Sequence, residues 1–136
     1  MSRRLRLVID ALPDSNLTKN RQQNTRHTMV TARRKSAERQ RAGWLILAAL
    51  NGERPEFRVP VRVTFSLRFP VRRRRDKDGW TPTISPWLDI LAVGPPANPG
   101  LGIIYDDSSE WATPVLEFEP EPGEPRTIIT IEPRNP

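Results

Sequence analysis

The sequence predicts an α+β fold in which a small mixed β-sheet packs with one long and one short helix. Strict apolar–polar alternation over residues 59–69 predicts a half-buried strand. A run rich in Ala, Arg and Leu over residues 31–50 predicts a long helix, and alternating segments near both ends of the chain predict further strands. Because 136 residues are enough for one core, we expect a single domain over residues 1–136.

The first predicted element is a strand at residues 4–11, where Leu5, Leu7 and Ile9 alternate with their neighbours. The Pro-Asp-Ser-Asn sequence at residues 13–16 predicts a turn that ends this strand. The polar residues that follow predict a surface loop over residues 17–29.

The long helix is expected over residues 31–50, with Thr28 or Thr31 as its N-cap and Asn51-Gly52 as its stop. Its first half is rich in Arg and Lys, and its second half is apolar. We therefore expect one end on the core and the other in solvent or on phosphate. Trp44 and Trp87 are the expected aromatic anchors of the core.

The second half of the chain predicts the remaining elements. A weakly helical stretch at residues 80–93 is interrupted by Pro82 and Pro86, and a Pro/Gly-rich loop covers residues 94–102. Two final strands, at residues 114–119 and 126–132, flank a Glu-Pro-Gly-Glu-Pro turn and are expected to pair as a hairpin. The order β-α-β-short α-β-β fits the α+β class with a mixed sheet.

Charge is distributed unevenly along the chain. The net charge is +6, but residues 1–75 hold 19 Arg or Lys against 5 Asp or Glu, whereas residues 76–136 hold 3 against 11. A basic half indicates a polyanionic partner, most often nucleic acid. The alternative is a solvated arginine-rich surface of the kind that a GC-rich genome encodes.

Composition excludes several kinds of site. The chain has no cysteine, which excludes disulfides, thiolate zinc sites and a cysteine nucleophile. Its one histidine, His27, excludes a multi-histidine metal site within one chain. No run of about 20 apolar residues predicts a membrane span, and no apolar segment follows the basic start. We expect a cytoplasmic protein of a bacterium, or of a phage or prophage in its host.

Two pairs of carboxylates follow apolar segments. Asp76 and Asp78 come after the second strand, and if the backbone there stays extended both side chains point to the same side. Asp106 and Asp107 come about thirty residues later. Two or three carboxylates that meet at a sheet edge suit Mg²⁺, although such residues are also common in solvated turns.

The ordered set of these segments resembles the RusA family of Holliday-junction resolvases. The resemblance rests on Arg-Arg-Arg-Arg-Asp-Lys-Asp at residues 72–78, Pro-Trp-Leu-Asp-Ile-Leu at 86–91 and Gly-Ile-Ile-Tyr-Asp-Asp-Ser at 102–108. Leu-Pro-Asp-Ser-Asn at 12–16 is similar to the family's turn after its first strand, and residues 128–132 are similar to its last strand. The match covers nearly the whole chain in the family's order.

The resemblance implies a homodimeric, Mg²⁺-dependent endonuclease, with Mn²⁺ as a possible substitute, that cuts four-way DNA junctions symmetrically. It implies that Asp76, Asp78 and Asp107 bind the metal and carry catalysis, with Asp89 and Asp106 in supporting roles. The cations expected to hold the DNA backbone are Lys19, Arg21, Arg26, Arg33, Arg34, Lys35, Arg72, Arg73, Arg74, Arg75 and Lys77.

The chain departs from the family's pattern at two positions. Gly79 stands where the family has an Asn, and Ser85 stands where it has a functional Lys. These departures favour an alternative, a catalytically degenerate DNA-binding protein that keeps the fold. A third possibility, a basic protein that assembles on RNA, explains the arginines but gives the spaced carboxylates no role.

Overall fold

A computed structural model describes residues 3–23 and 28–134 of the chain. The described part forms four strands, namely β1 (Leu5–Ile9), β2 (Val61–Arg68), β3 (Ala112–Phe118) and β4 (Arg126–Pro133). Its helices are α1 (Lys19–Gln23), α2 (Thr28–Leu50) and α3 (Lys77–Leu91), and a single 3₁₀ turn spans Ser15–Leu17. No helix in these residues is both long and apolar enough to cross a membrane.

The strands form one mixed sheet in the order β1-β4-β2-β3, which confirms the α+β class. β4 is antiparallel to both β1 and β2, whereas β2 and β3 are parallel neighbours. At the centre, Phe65 faces Leu116 on one side and Ile129 on the other. Because α3 connects two parallel strands, it begins beside the C-terminal end of β2 and finishes near the N-terminal end of β3.

The core lies between one face of the sheet and the helices α2 and α3. The alternation predicted for the second strand is confirmed, because Val61, Val63, Phe65 and Leu67 are fully buried. Trp87 is fully buried as expected, but Trp44 is 68% exposed, so that expectation is wrong. The buried face of α2 runs through Ala42, Ile46 and Leu50, and Trp44 lies two residues away, on the opposite side of the helix.

The hairpin expected from the last two strands does not form. β3 pairs with β2, β4 pairs with β1 and β2, and β2 therefore lies between the two expected partners. Residues 119–125 cross the end of β2, where Arg68 Nε donates to Glu124 O at 2.8 Å and Gly123 N donates to Phe69 O at 3.0 Å. The three prolines in this segment cannot donate a backbone N–H to a tight turn. The apolar strand β4 instead pairs with two strands, β1 and β2, in the interior of the sheet.

Two helical regions also differ from the predictions. The loop expected over residues 17–29 contains α1, and α2 begins within it at residue 28. The stretch expected to be interrupted by Pro82 and Pro86 is one helix over residues 77–91. Each proline removes one backbone hydrogen bond, but burial of Ile84, Trp87 and Leu91 on the sheet side holds the helix together.

Candidate functional site

The first pair of predicted carboxylates lies at the start of α3. Asp76 is the N-cap, with an extended backbone (φ −98°, ψ 121°), and its Oδ1 accepts a hydrogen bond from Asp78 N at 3.0 Å. The backbone turns into helix directly after Asp76, so the extended geometry needed to align the two side chains is not present. Asp76 caps the helix, and Asp78 in the first turn faces the positive end of its dipole.

Asp78 also has a partner from an earlier part of the chain. Lys19 Nζ lies 3.3 Å from Asp78 Oδ2, and the two side chains are 55% and 76% exposed. An ion pair this exposed contributes little free energy. Lys19 therefore connects α1 with α3, and it can leave Asp78 and bind another anion at a low cost in free energy.

The arginine run before α3 divides into residues with and without partners. Arg72 pairs with Glu121 at 2.8 Å. The Arg75 guanidinium lies 3.7 Å from the centre of the Phe69 ring and donates to two backbone carbonyls, and burial followed by the charge of Arg73 lowers its pKa. Arg73 and Arg74 are exposed and form no ion pair with the described part of the chain.

Other expected DNA-binding cations lie on α2 and near the start of α3. Arg33, Arg34 and Lys35 project from the first half of α2, are exposed, and form no ion pair within residues 3–23 and 28–134; the same is true of Lys77 on α3. Arg21 is exposed on α1. Arg26 lies outside the described residues.

The second group of carboxylates lies at the other end of α3. Arg39 forms an ion pair with Asp89 and donates to Asn98 Oδ1 at 3.0 Å, which fixes the loop after α3. The pKa of Asp107 is raised by partial burial of its carboxyl, then by the neighbouring charges of Asp89 and Asp106. The charges of Asp89 and Asp106 thus act on Asp107, and Arg39 is paired with Asp89.

The helix between the two groups keeps them apart. A rise of about 1.5 Å per residue places Asp89 about 20 Å from Asp76 along α3. Ile104 forms a β-bridge with Ala92, directly after α3, so the segment that leads to Asp107 lies at the opposite end of the helix from Asp76 and Asp78. In agreement with this separation, the described residues contain no group of three or more His, Asp or Glu side chains that could hold one metal ion. The carboxylate set implied by the resemblance does not fit one ion within a single chain.

Sequence reasoning missed Glu38, whose side chain is buried beneath the first turn of the fold. Its Oε2 accepts hydrogen bonds from Asp14 N at 2.7 Å and from Trp87 Nε1 at 2.9 Å, and its Oε1 accepts one from Arg41 Nη1 at 2.8 Å. Glu38 thereby fixes the turn after β1 and the middle of α3 to α2. The signal was present in the sequence, because Glu38 precedes the buried Ala42 and Ile46 at a four-residue spacing.

No protein-family model matches this sequence. A comparison with curated proteins likewise finds no significant match.

Proposed function

We propose that this chain is a Mg²⁺-dependent, structure-specific endonuclease that resolves four-way DNA junctions in recombination and repair, and that it acts as a homodimer. The observation that carries the proposal is the combination of charges at the start of α3. Arg73, Arg74 and Lys77 are exposed cations that form no ion pair with the described residues, and they lie within five residues of the exposed carboxylate of Asp78. Unpaired cations beside acids suit an enzyme that holds a phosphodiester next to carboxylates.

Two groups of cations would bind the DNA backbone. One is Arg33, Arg34 and Lys35 on α2, and the other is the segment before α3. Because each phosphate contact releases a counterion, binding through these groups weakens steeply as the salt concentration rises. Lys19 adds one more cation to the segment before α3 when its ion pair with Asp78 is broken.

The proposed cofactor is Mg²⁺, with Mn²⁺ as a substitute, and the proposed ligands are Asp76, Asp78 and Asp107. When bound, such an ion neutralises carboxylate and phosphate charge and lowers the pKa of a water ligand. The three acids do not meet within the described part of one chain, so one chain does not hold an ion with all three of them. Asp89 and Asp106 are the acids proposed for supporting roles, since after partial burial of the Asp107 carboxyl their charges raise its pKa.

The second candidate function is DNA binding without cleavage. It is favoured by the capping role of Asp76 and the ion pair between Asp78 and Lys19, which occupy both acids within the fold. The glycine at position 79 and the serine at position 85 also remove polar groups that the family would place near the phosphate. Both candidates bind DNA in a salt-sensitive way, so only cleavage separates them.

Cleavage of a labelled four-way junction tests the proposal, with a linear duplex of the same sequence as control and with Mg²⁺ or EDTA present. Asp76→Asn is a sharp variant because Asn keeps the helix cap and removes only the charge. We expect symmetric nicking of the junction that needs Mg²⁺ and is lost in the variant. Tight binding without cutting in Mg²⁺ or Mn²⁺ would establish the non-catalytic candidate instead.

A further inference from the structure

An exposed tryptophan lies on α2 where the sequence predicted a buried one. At 68%, Trp44 is the most exposed of the large apolar side chains in the described part of the chain. Within residues 3–23 and 28–134, its indole contacts no other aromatic ring and forms no hydrogen bond. A tryptophan face that the fold leaves free is typical of a surface that binds a partner.

Trp44 is one of the residues that line an open pocket between α2 and α3. The pocket has a volume of about 360 Å³, and its apolar lining comes from Trp44, Leu47, Ile90 and Leu101. The two helices are closely packed beneath it, because a Cβ added at Gly43 would lie 3.2 Å from Ile90 Cγ1. A pocket of this size, with one exposed ring, suits a small flat group.

Polar groups also line the pocket. The side-chain amide of Gln40 forms no hydrogen bond with the described residues. Asn98 keeps its amide NH₂ group as a donor, since its Oδ1 is the atom that accepts from Arg39 at 3.0 Å. None of the described residues that line the pocket is acidic. Side-chain amides pair with the polar edges of nucleobases, so this lining suits a base, which is apolar on its faces and polar at its edges.

The side of α2 that carries Trp44 also carries a cation. Arg33 lies about three helical turns before Trp44, so the two residues lie along one side of the helix, about 16 Å apart. Gln40 lies between them on the same side. Arg33 is exposed and forms no ion pair with the described residues. A stacked DNA strand advances about 3.4 Å per nucleotide, so this distance spans about five nucleotides.

We infer that the pocket binds an unpaired base of single-stranded DNA, stacked on Trp44, and that the strand runs from there toward Arg33. The base edge faces Gln40 and Asn98, and the backbone phosphates meet the arginine. Stacking of this kind tolerates any sequence, because every base has a π-face. The inference goes beyond the proposed function, since it needs neither metal nor cleavage. The choice of DNA over RNA rests on the proposed function.

Binding of a fluorescently labelled oligothymidylate of about ten nucleotides, measured by anisotropy in EDTA, tests the stacking. Trp44→Ala should weaken binding about 5- to 150-fold. Trp44→Phe should keep most of the affinity, whereas Trp44→Leu, which is apolar but has no ring, should lose about as much as Trp44→Ala. The oligonucleotide should also quench the tryptophan fluorescence of the wild type, and Trp44→Phe should abolish that part of the quenching. An affinity of Trp44→Leu equal to that of the wild type, or no binding by the wild type, overturns the inference.

The salt dependence of the same binding tests the path of the strand. One phosphate contact on a single strand contributes about 0.7 to the slope of log K against log salt concentration. Arg33→Ala should lower the slope by about this amount. Arg54→Ala is the matched control, because Arg54 is exposed without an ion pair in the described residues and follows the other end of α2; its slope should equal that of the wild type. A lower slope for Arg54→Ala and an unchanged one for Arg33→Ala contradict the path.

Two further measurements identify other occupants of the pocket. If sedimentation shows that Trp44→Ala turns a dimer into monomers while oligothymidylate affinity is unchanged, a second copy fills the pocket and the inference is overturned. Tighter binding of an oligouridylate of the same length assigns the pocket to RNA and overturns the choice of DNA. Junction cleavage in Mg²⁺ is measured separately. A protein that binds oligothymidylate through Trp44 but cuts no junction keeps this inference and loses the proposed function, and cutting without such binding has the opposite meaning.

Discussion

Removing the side chain of Glu38 should destabilise the protein strongly, because this carboxylate is buried. In Glu38→Ala, Trp87 Nε1 and Asp14 N lose their shared acceptor, whereas the Arg41 side chain, 43% exposed, turns to water. An orphaned donor costs about 1–3 kcal/mol, toward the upper end when it is buried like the indole. We therefore expect a loss of about 3–5 kcal/mol in the free energy of unfolding, a large part of what a small domain has.

Urea unfolding followed by far-ultraviolet circular dichroism measures this loss, with Glu53→Ala as the control at an exposed glutamate. The double variant Glu38→Ala/Trp87→Phe adds a second test, because phenylalanine removes the orphaned donor. Its loss should be smaller than the sum of the two single losses by about 1–2 kcal/mol. A loss below about 1 kcal/mol for Glu38→Ala, or strict additivity in the cycle, would refute the role given to Glu38.

Three further outcomes follow from the charges. Asp107→Asn should raise Tm at pH 7, since partial burial of the carboxyl and then the charges of Asp89 and Asp106 raise the pKa of Asp107 and make its ionised form unfavourable in the folded state. The gain should disappear as the pH falls through that pKa, and an unchanged Tm would show that ionised Asp107 does not destabilise the fold. Glu119→Gln should lower Tm at pH 7, because the hydrogen bond from Arg126 lowers the pKa of Glu119. The difference in Tm between variant and wild type should vanish in acid, where Glu119 of the wild type is protonated. A difference that persists in acid would exclude the ion pair as its cause. Arg74→Ala should reduce the salt dependence of DNA binding by about one counterion without changing the midpoint of urea unfolding. Arg75→Ala should instead lower the free energy of unfolding by about 1 kcal/mol, because the Arg75 guanidinium covers the Phe69 ring. The reverse pattern in the binding and unfolding assays would refute the assignment of Arg74 to DNA binding and Arg75 to stability.

The parts of the fold that follow from local pattern were predictable from the sequence. The alternation over residues 59–69 identified β2 and its buried side, and the composition of residues 31–50 identified most of α2. The pairing of β3 and β4 was not predictable in this way. Closeness in sequence favours a hairpin, but the partners of a strand are decided by which neighbours bury its side chains, and β4 buries more of its surface between β1 and β2.

In the candidate site, too, the features set by local sequence were predictable and the features set by packing were not. Sequence order placed Asp76 and Asp78 beside the arginine run, and the structure keeps them there. Their arrangement depended on where α3 begins, and Asp76 itself begins it as the N-cap. The distance from these acids to Asp107 depended on whether Pro82 and Pro86 break the helix. They do not, because packing of the opposite face outweighs two missing hydrogen bonds.

The position of β4 has a consequence for how the chain reaches its folded state. β4 comes last in the sequence, yet it supplies the hydrogen bonds that join β1 to β2, and Leu5 pairs with Ile131. Arg134 then ties the end of β4 to Ser109 O and Glu110 O at 3.0 Å and 2.7 Å. During synthesis on the ribosome, β1 has no partner strand until residues 126–133 have left the exit tunnel. The sheet can therefore close only after β4 has been synthesised, and its folding should be slow because its strand pairs join distant parts of the chain, with the helices forming first.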